Sequence, residues 1–309
     1  MSGDMAQITD SVYMVDSSYG NRKNVLSSYV IRGKEAAVID PGPTASIEKL
    51  LKGLLQVGVD LGDVKHVIPT HVHLDHAGGS WRLLQYCKSA KLHVHPKGYS
   101  HLVEPSKLEQ SARALLGKQV DEYGGIRGVP AEIVGQTSDS EVVDLGHGTE
   151  ISVLWTPGHA SHHQSIHVPG SRVIIAGDAA GTFSDSTRSV LPTAPPPFNP
   201  EQAISSIERL IGLAPAIVGY AHFGCTKDAA RMLRVHKNQL EVWTKAAQDG
   251  LRDKKNLSEI YDELWKRDVM LQLSAPPRLV DTDTGERSPS ISLRGFIEYV
   301  RWKQEQPQK

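Results

Sequence analysis

Residues able to do chemistry crowd into one stretch, Pro69-Thr70-His71-Val72-His73-Leu74-Asp75-His76-Ala77-Gly78-Gly79. Three imidazoles and a carboxylate fall within six residues, in the pattern H-x-H-x-D-H. His71 and His73 are two apart, so in an extended segment they point the same way and can hold one ion. Asp75 and His76 follow as the chain turns, and can face a second ion nearby. Imidazole and carboxylate are the usual ligands of zinc, whose catalytic sites keep one position open for water. The competing reading is a polar loop whose histidines cap a helix. That suits a single histidine, not three with an aspartate at this spacing.

Other candidates stand just past apolar runs. They are His159 behind Thr156-Pro157-Gly158, Asp178 in Ala176-Gly177-Asp178, and His222 in Ala221-His222-Phe223-Gly224. Asp40 has two readings: an orienting partner for a ligand histidine, or a turn-former ahead of Pro41-Gly42. His93 and His95 share a strand face, but no acidic partner follows closely, so they read as ordinary strand residues. His162 and His163 read as neighbours of the ligands or as surface residues rather than as ligands.

The elements that must hold these groups follow from periodicity. Val64–Ile68 reads as a buried strand delivering the first motif at its end, and residues 77–88 as the helix after it, with Leu83, Leu84 and Cys87 on one face. Residues 11–15, 25–31, Ala36–Ile39, 91–95, 150–154, 165–168, 172–176 and 216–220 read as further strands. Residues 46–55 and 201–213 read as amphipathic helices. Residues 97–144 are less regular, helical over 109–123, and are expected as an insertion over the site. Residues 182–200, with Pro192, Pro195, Pro196 and Pro197, are expected as a long loop that walls the substrate pocket with Phe183 and Phe198. The expected division is a core over 1–225 and a helical C-terminal extension over 226–309, with a polar linker at 275–290.

Composition bounds the rest. The 309 residues carry a net charge of −1, so there is no basic footprint for nucleic acid. Two cysteines, Cys87 and Cys225, make no disulfide scaffold and fit a reducing compartment. The N-terminus lacks a basic and an apolar region of signal type, and no apolar run reaches membrane-spanning length. The expectation is a cytoplasmic protein with a small-molecule substrate and no nucleic-acid or membrane partner, with a homodimer allowed.

Collected in order, His71, His73, Asp75, His76, His159, Asp178 and His222 resemble the ligand set of the metallo-β-lactamase-fold metallohydrolase superfamily, in particular its glyoxalase II-like branch. All seven match in type and order over residues 10–225. The resemblance implies an α/β protein, an αββα sandwich with metals at one edge between the sheets. It implies His71, His73 and His159 on a first metal, and Asp75, His76 and His222 on a second. Asp178 would bridge the two, with Asp75 and Asp178 as the catalytic carboxylates. The cofactors implied are two divalent ions, zinc first, with iron or manganese as alternatives. The reaction implied is hydrolysis of a thioester, lactone or phosphodiester by a metal-bridging hydroxide.

Departures narrow the choice. Class B β-lactamases generally lack the bridging aspartate, flavodiiron proteins carry an acid where this chain has His73, and β-CASP nucleases need more chain. Lys227, Arg231 and Arg234 are available for glutathione, yet such charges on a helix are more often just solvated, so glutathione is not assigned. A mononuclear iron oxidoreductase resembling the persulfide dioxygenases is the alternative, since the same donors suit zinc and iron.

Overall fold

The computed structural model describes residues 5–19, 22–275, 277 and 289–306. Among them a seven-stranded sheet runs in chain order, Met5–Gln7, Val12–Asp16, Ser27–Arg32, Ala36–Ile39, Val64–Ile68, Lys91–Val94 and Val134–Gln136. It is antiparallel up to Ala36–Ile39 and parallel beyond. A second sheet is ordered Cys225–Thr226, Ile217–Gly219, Val173–Ile175, Gln164–Val168, Glu150–Trp155 and Glu141–Asp144.

The central strands are buried almost without interruption, so each sheet has two buried faces. Between the sheets lie Ile39, Ile68, Ile151, Ile166 and Ile175. The outer face of the first sheet packs on Leu50 and Leu54 of helix Ile47–Gln56 and on Leu83 of helix Ser80–Tyr86. The outer face of the second packs on Ile207 of helix Pro200–Gly212 and on Leu240 and Trp243 of helix Ala229–Arg252. The layers are therefore αββα, as expected. Helices Leu257–Arg267, Val269–Ser274 and Pro289–Glu305 complete a helical C-terminal extension.

Four local expectations change, the first being that 97–144, expected as an insertion over the site, supplies the edge strands Val134–Gln136 and Glu141–Asp144. The helix expected over 77–88 is a turn, Leu74–Ala77, and a separate helix, Ser80–Tyr86. The break falls at Gly78-Gly79, where Gly79 runs against Gly42 and Ile47 and a Cβ would come within 2.6 Å of the Ile47 side chain. The helix expected over 109–123 is Ser106–Leu116 followed by Gln119–Glu122, broken at Gly117 with φ +58°. The long loop expected over 182–200 contains the hairpin Thr182–Ser184/Ser189–Leu191, and only its proline-rich second half is irregular. The linker expected at 275–290 lies largely outside the described residues.

Candidate metal centre

Register explains why the donors meet. Val173–Ile175 and Ile217–Gly219 are parallel neighbours with Ile175 opposite Gly219. Asp178 and His222 each stand three residues past those ends, so they emerge side by side, Asp178 Oδ2 lying 3.3 Å from His222 Nε2. In the other sheet Ile39 is opposite Ile68. Asp40 therefore leaves the sheet beside Thr70, and His71 follows.

Hydrogen bonds orient the rings. Asp40 accepts from the Thr70 amide at 2.6 Å and the Thr70 hydroxyl at 2.9 Å. With its proton so committed, Thr70 Oγ1 can only accept from His71 Nδ1–H, at 3.1 Å. Asp40 also accepts from His76 Nδ1–H at 3.1 Å, and the Thr193 carbonyl accepts from His159 Nδ1–H at 2.8 Å. In its neutral form each of these histidines thus carries its proton on Nδ1 and turns the Nε2 lone pair inward.

The inward atoms form groups. His71 Nε2, His73 Nδ1 and His159 Nε2 stand 2.9, 3.1 and 3.2 Å apart. Asp75 Oδ2 and His76 Nε2 are 3.5 Å apart, and His222 Nε2 is 3.7 Å from Asp75 Oδ2. Asp178 reaches both groups, with Oδ2 at 3.5 Å from His159 Nε2 and Oδ1 at 3.7 Å from His76 Nε2. All of them except the half-buried His73 are buried.

Burial chiefly, and then the other imidazoles around them, hold the pKa values of His71 and His73 well below the ordinary histidine value. Burial lowers that of His159 too. Burial alone would raise the Asp178 pKa, but His222, His76 and His159 hold it well down. Burial would likewise lower that of His76, but Asp75, Asp178 and Asp40 hold it well up.

The donors fit divalent cations. In the first group two of three nitrogens are unprotonated, so at most one proton is available to three facing donors. The spacing is close to the edge of a zinc tetrahedron, about 3.3 Å from Zn–N bonds of about 2 Å. His76 Nε2 and Asp178 Oδ1 are buried with no hydrogen-bond partner in the protein, an arrangement that is costly until a cation takes up the lone pairs.

A further chain fixes Asp178. Ser165 Oγ–H donates to the Ala176 carbonyl at 3.1 Å, so it accepts from Thr156 Oγ–H at 2.9 Å. Thr156 Oγ1 in turn accepts from His163 Nδ1–H at 2.8 Å. That leaves His163 Nε2 to accept the Asp178 amide at 3.1 Å. Gly177, at φ +57°, admits this contact, since a Cβ there would lie 2.7 Å from His163 Nε2.

The seven sequence-predicted residues come together. Asp40 bonds Thr70 and His76, the contacts expected of an orienting partner, and His163 bonds the Asp178 amide. His93 meets His66 at 3.1 Å and His95 accepts from the Lys97 amide, as ordinary strand-end residues. A cavity of about 540 Å³ opens beside the centre, with His73, His159 and His162 at one end and Leu115, Pro195–Asn199 and Gln202 around it. Phe198 lines it as expected, but Phe183 does not. Its ring is stacked on Tyr220 at 4.9 Å, inside the core. Thr193, whose contribution is a backbone carbonyl, carries no signal in its residue type. Tyr299 and Trp302, which also line the cavity, look in the sequence like an ordinary helix face.

Comparison with known proteins places this geometry. Metallo-beta-lactamase fold-containing protein ST1585 of Sulfurisphaera tokodaii is 31% identical over 221 residues, 70% of this chain and 78% of that one. Its crystal structure superposes with a TM-score of 0.69 at 26% identity, covering 94% of this chain and 99% of that chain. The family protein TTHA1429 of Thermus thermophilus shares the fold, with a TM-score of 0.66 at 22% identity over 96% of this chain and 95% of its own. N-acyl homoserine lactonase AttM of Rhizobium radiobacter is 30% identical over 146 residues, 44% of this chain and 49% of the lactonase, so the match spans about half of that protein. The family model described as metallo-beta-lactamase superfamily matches residues 21–222, which take in all seven converging donors. The chain belongs to the metallo-beta-lactamase superfamily.

Proposed function

We propose that the protein is a dinuclear metal-dependent hydrolase of an ester-type bond in a small molecule. The observation that carries this is the Asp178 carboxylate, within 3.3–3.7 Å of donors from both groups, in a centre whose His73 and His159 line a cavity. Two divalent ions held there would supply hydroxide at neutral pH and polarise the substrate carbonyl. The protein's own part is positional. His71, His76 and His159 arrive with lone pairs already aimed, so little reorganisation is needed as charge develops. Of the two buried carboxylates, Asp75 is the one available to take the proton that an attacking water gives up, since the facing imidazoles hold Asp178 ionised. The proline-rich loop and the C-terminal helix narrow the access of bulk water. No Ser, Cys or Lys stands in a recognisable nucleophile motif, which supports water as the attacking group.

Among ester classes the lactone has support from the similarity to AttM. The thioester of a glyoxalase II-like enzyme rests on the order of the motif alone. The test is elemental analysis together with a panel of lactone, thioester and bis-aryl phosphate substrates. Two metals per chain, falling to one or none in Asp178→Ala, and hydrolysis lost on chelation are the expected results. One tightly bound iron with oxygen-dependent turnover would replace the hydrolase reading with the dioxygenase one.

A further inference from the structure

The wall of the cavity opposite the donors comes from beyond residue 222, where the family match ends. Glu298, Tyr299 and Trp302 of helix Pro289–Glu305 line it. The Tyr299 and Trp302 rings lie 5.8 Å apart, and Trp302 is 53% exposed, with its indole free to cover a ligand.

The helix is fastened to the loop that closes the cavity. Ser292 Oγ–H donates to the Pro192 carbonyl at 2.8 Å, and the same oxygen accepts the Ala194 amide at 3.2 Å. Gly295 passes so close to Ala194 that a Cβ would overlap its carbonyl oxygen. Phe296 packs on Phe198 and Trp243, at 4.8 and 5.6 Å between rings. Between Pro192 and Ala194 lies Thr193, whose carbonyl orients His159. One loop therefore sets both a donor and the position of the far wall.

The charge of the lining is one-sided. Among the described residues no lysine or arginine lines the cavity, and its only carboxylate is that of Glu298. Lys303, 6.0 Å from the Tyr299 ring, is engaged by Glu201. Arg231, Arg234 and Arg267 line a different groove of about 440 Å³. Away from the metal centre, a substrate arm ending in carboxylate or phosphate would meet no lysine or arginine in this lining and would face the Glu298 carboxylate. Prolines and aromatic rings instead offer apolar contact.

We propose that the C-terminal helix is the specificity wall of the cavity, with Trp302 and Tyr299 gripping an apolar arm and Glu298 barring anionic ones. The cavity then takes an uncharged ester with an aliphatic or aromatic arm. This rests on the hydrolase reading for the nature of the bond, and on the cavity alone for the nature of the arm.

Binding tests it apart from turnover. The probes are a hydrolysis-resistant N-butyl octanamide and the same amide with a terminal carboxylate on its acyl arm, titrated calorimetrically into the metal-loaded full-length protein. The uncharged amide should bind about tenfold or more tighter. Trp302→Ala should weaken it by about tenfold, as expected for a truncated aromatic anchor. Glu298→Lys should bring the carboxylate amide level with or ahead of the uncharged one. Equal or tighter binding of the carboxylate amide to wild type, no binding of either, or insensitivity to both substitutions would overturn the proposal. If the uncharged amide binds as stated while no ester is cleaved, the hydrolase reading falls and the assignment of the wall stands.

Discussion

Asp40 and His76 form a buried pair in which His76 Nδ1–H donates to the carboxylate at 3.1 Å, on a backbone held at φ +49°. Asparagine tolerates that left-handed backbone at least as well as aspartate does. Asp40→Asn therefore separates backbone from side chain. It keeps the turn but offers an amide where a carboxylate oxygen accepted from His76 and Thr70. The expected outcome is a folded protein with metal affinity lowered about 10–100-fold, measured by competition with a chromophoric chelator. Wild-type affinity would reduce Asp40 to a turn-former.

Water as nucleophile has an isotopic signature. In a single turnover in oxygen-18 water, the acid product should carry the label and the recovered enzyme should carry none. Label appearing only in later turnovers would mean that a protein oxygen attacks first.

Gly295→Ala tests the fastening of the C-terminal helix. In a free helix the change would stabilise by about 1 kcal/mol. Here the new methyl meets the Ala194 carbonyl, and overpacking of this kind costs about 1–3 kcal/mol. Denaturant titration should show net destabilisation, with a raised KM as the loop and Tyr299 part. A gain in stability would show that the helix and loop are not in contact in solution.

Acid should weaken the metal-free protein through its buried imidazoles. Burial, then His66 and Lys91, push the His93 pKa down to about 4, and burial pushes that of His236 down to about 4. Both are neutral in the fold and titrate near 6.5 when unfolded. The unfolded chain therefore gains protons first. Their stability contribution is complete above about pH 6.5 and is lost as pH falls toward 4. Unfolding free energy should drop across that window, and His93→Gln should remove about 3 kcal/mol of the drop. An unchanged pH slope in the variant would refute this assignment.

The site was legible because its residues are chemically rare and each stands just beyond a strand, so a run such as Val64–Ile68 marks where His71 will emerge. The central strands were legible for the same reason, since apolar runs such as Ala36–Ile39 and Val173–Ile175 are short and bounded by turns, whereas the edge strands Met5–Gln7, Val134–Gln136 and Glu141–Asp144 were not. Nor were breaks inside helices. The break at Gly78-Gly79 falls where Gly42 and Ile47 lie against Gly79, a contact between distant residues. Phe183 and Phe198 are indistinguishable by type in one proline-rich segment, and only the packing of Tyr220 on one and the cavity beside the other tells them apart. The far wall was invisible, because Tyr299 and Trp302 gain a role only when Ser292 and Gly295 bring them to Ala194.

The donors do not belong to one half of the sandwich. His71, His73, Asp75 and His76 hang from the first sheet, whereas His159, Asp178 and His222 hang from the second. A cation shared among them would act as a rivet across the seam, closing a loop of the chain from residue 71 to residue 222. Its grip would add to the cohesion of the two sheets in proportion to the logarithm of free metal concentration. The melting temperature then becomes a readout of metal supply. Under scarcity the edge that carries the chemistry would lose one of the ties between the two sheets.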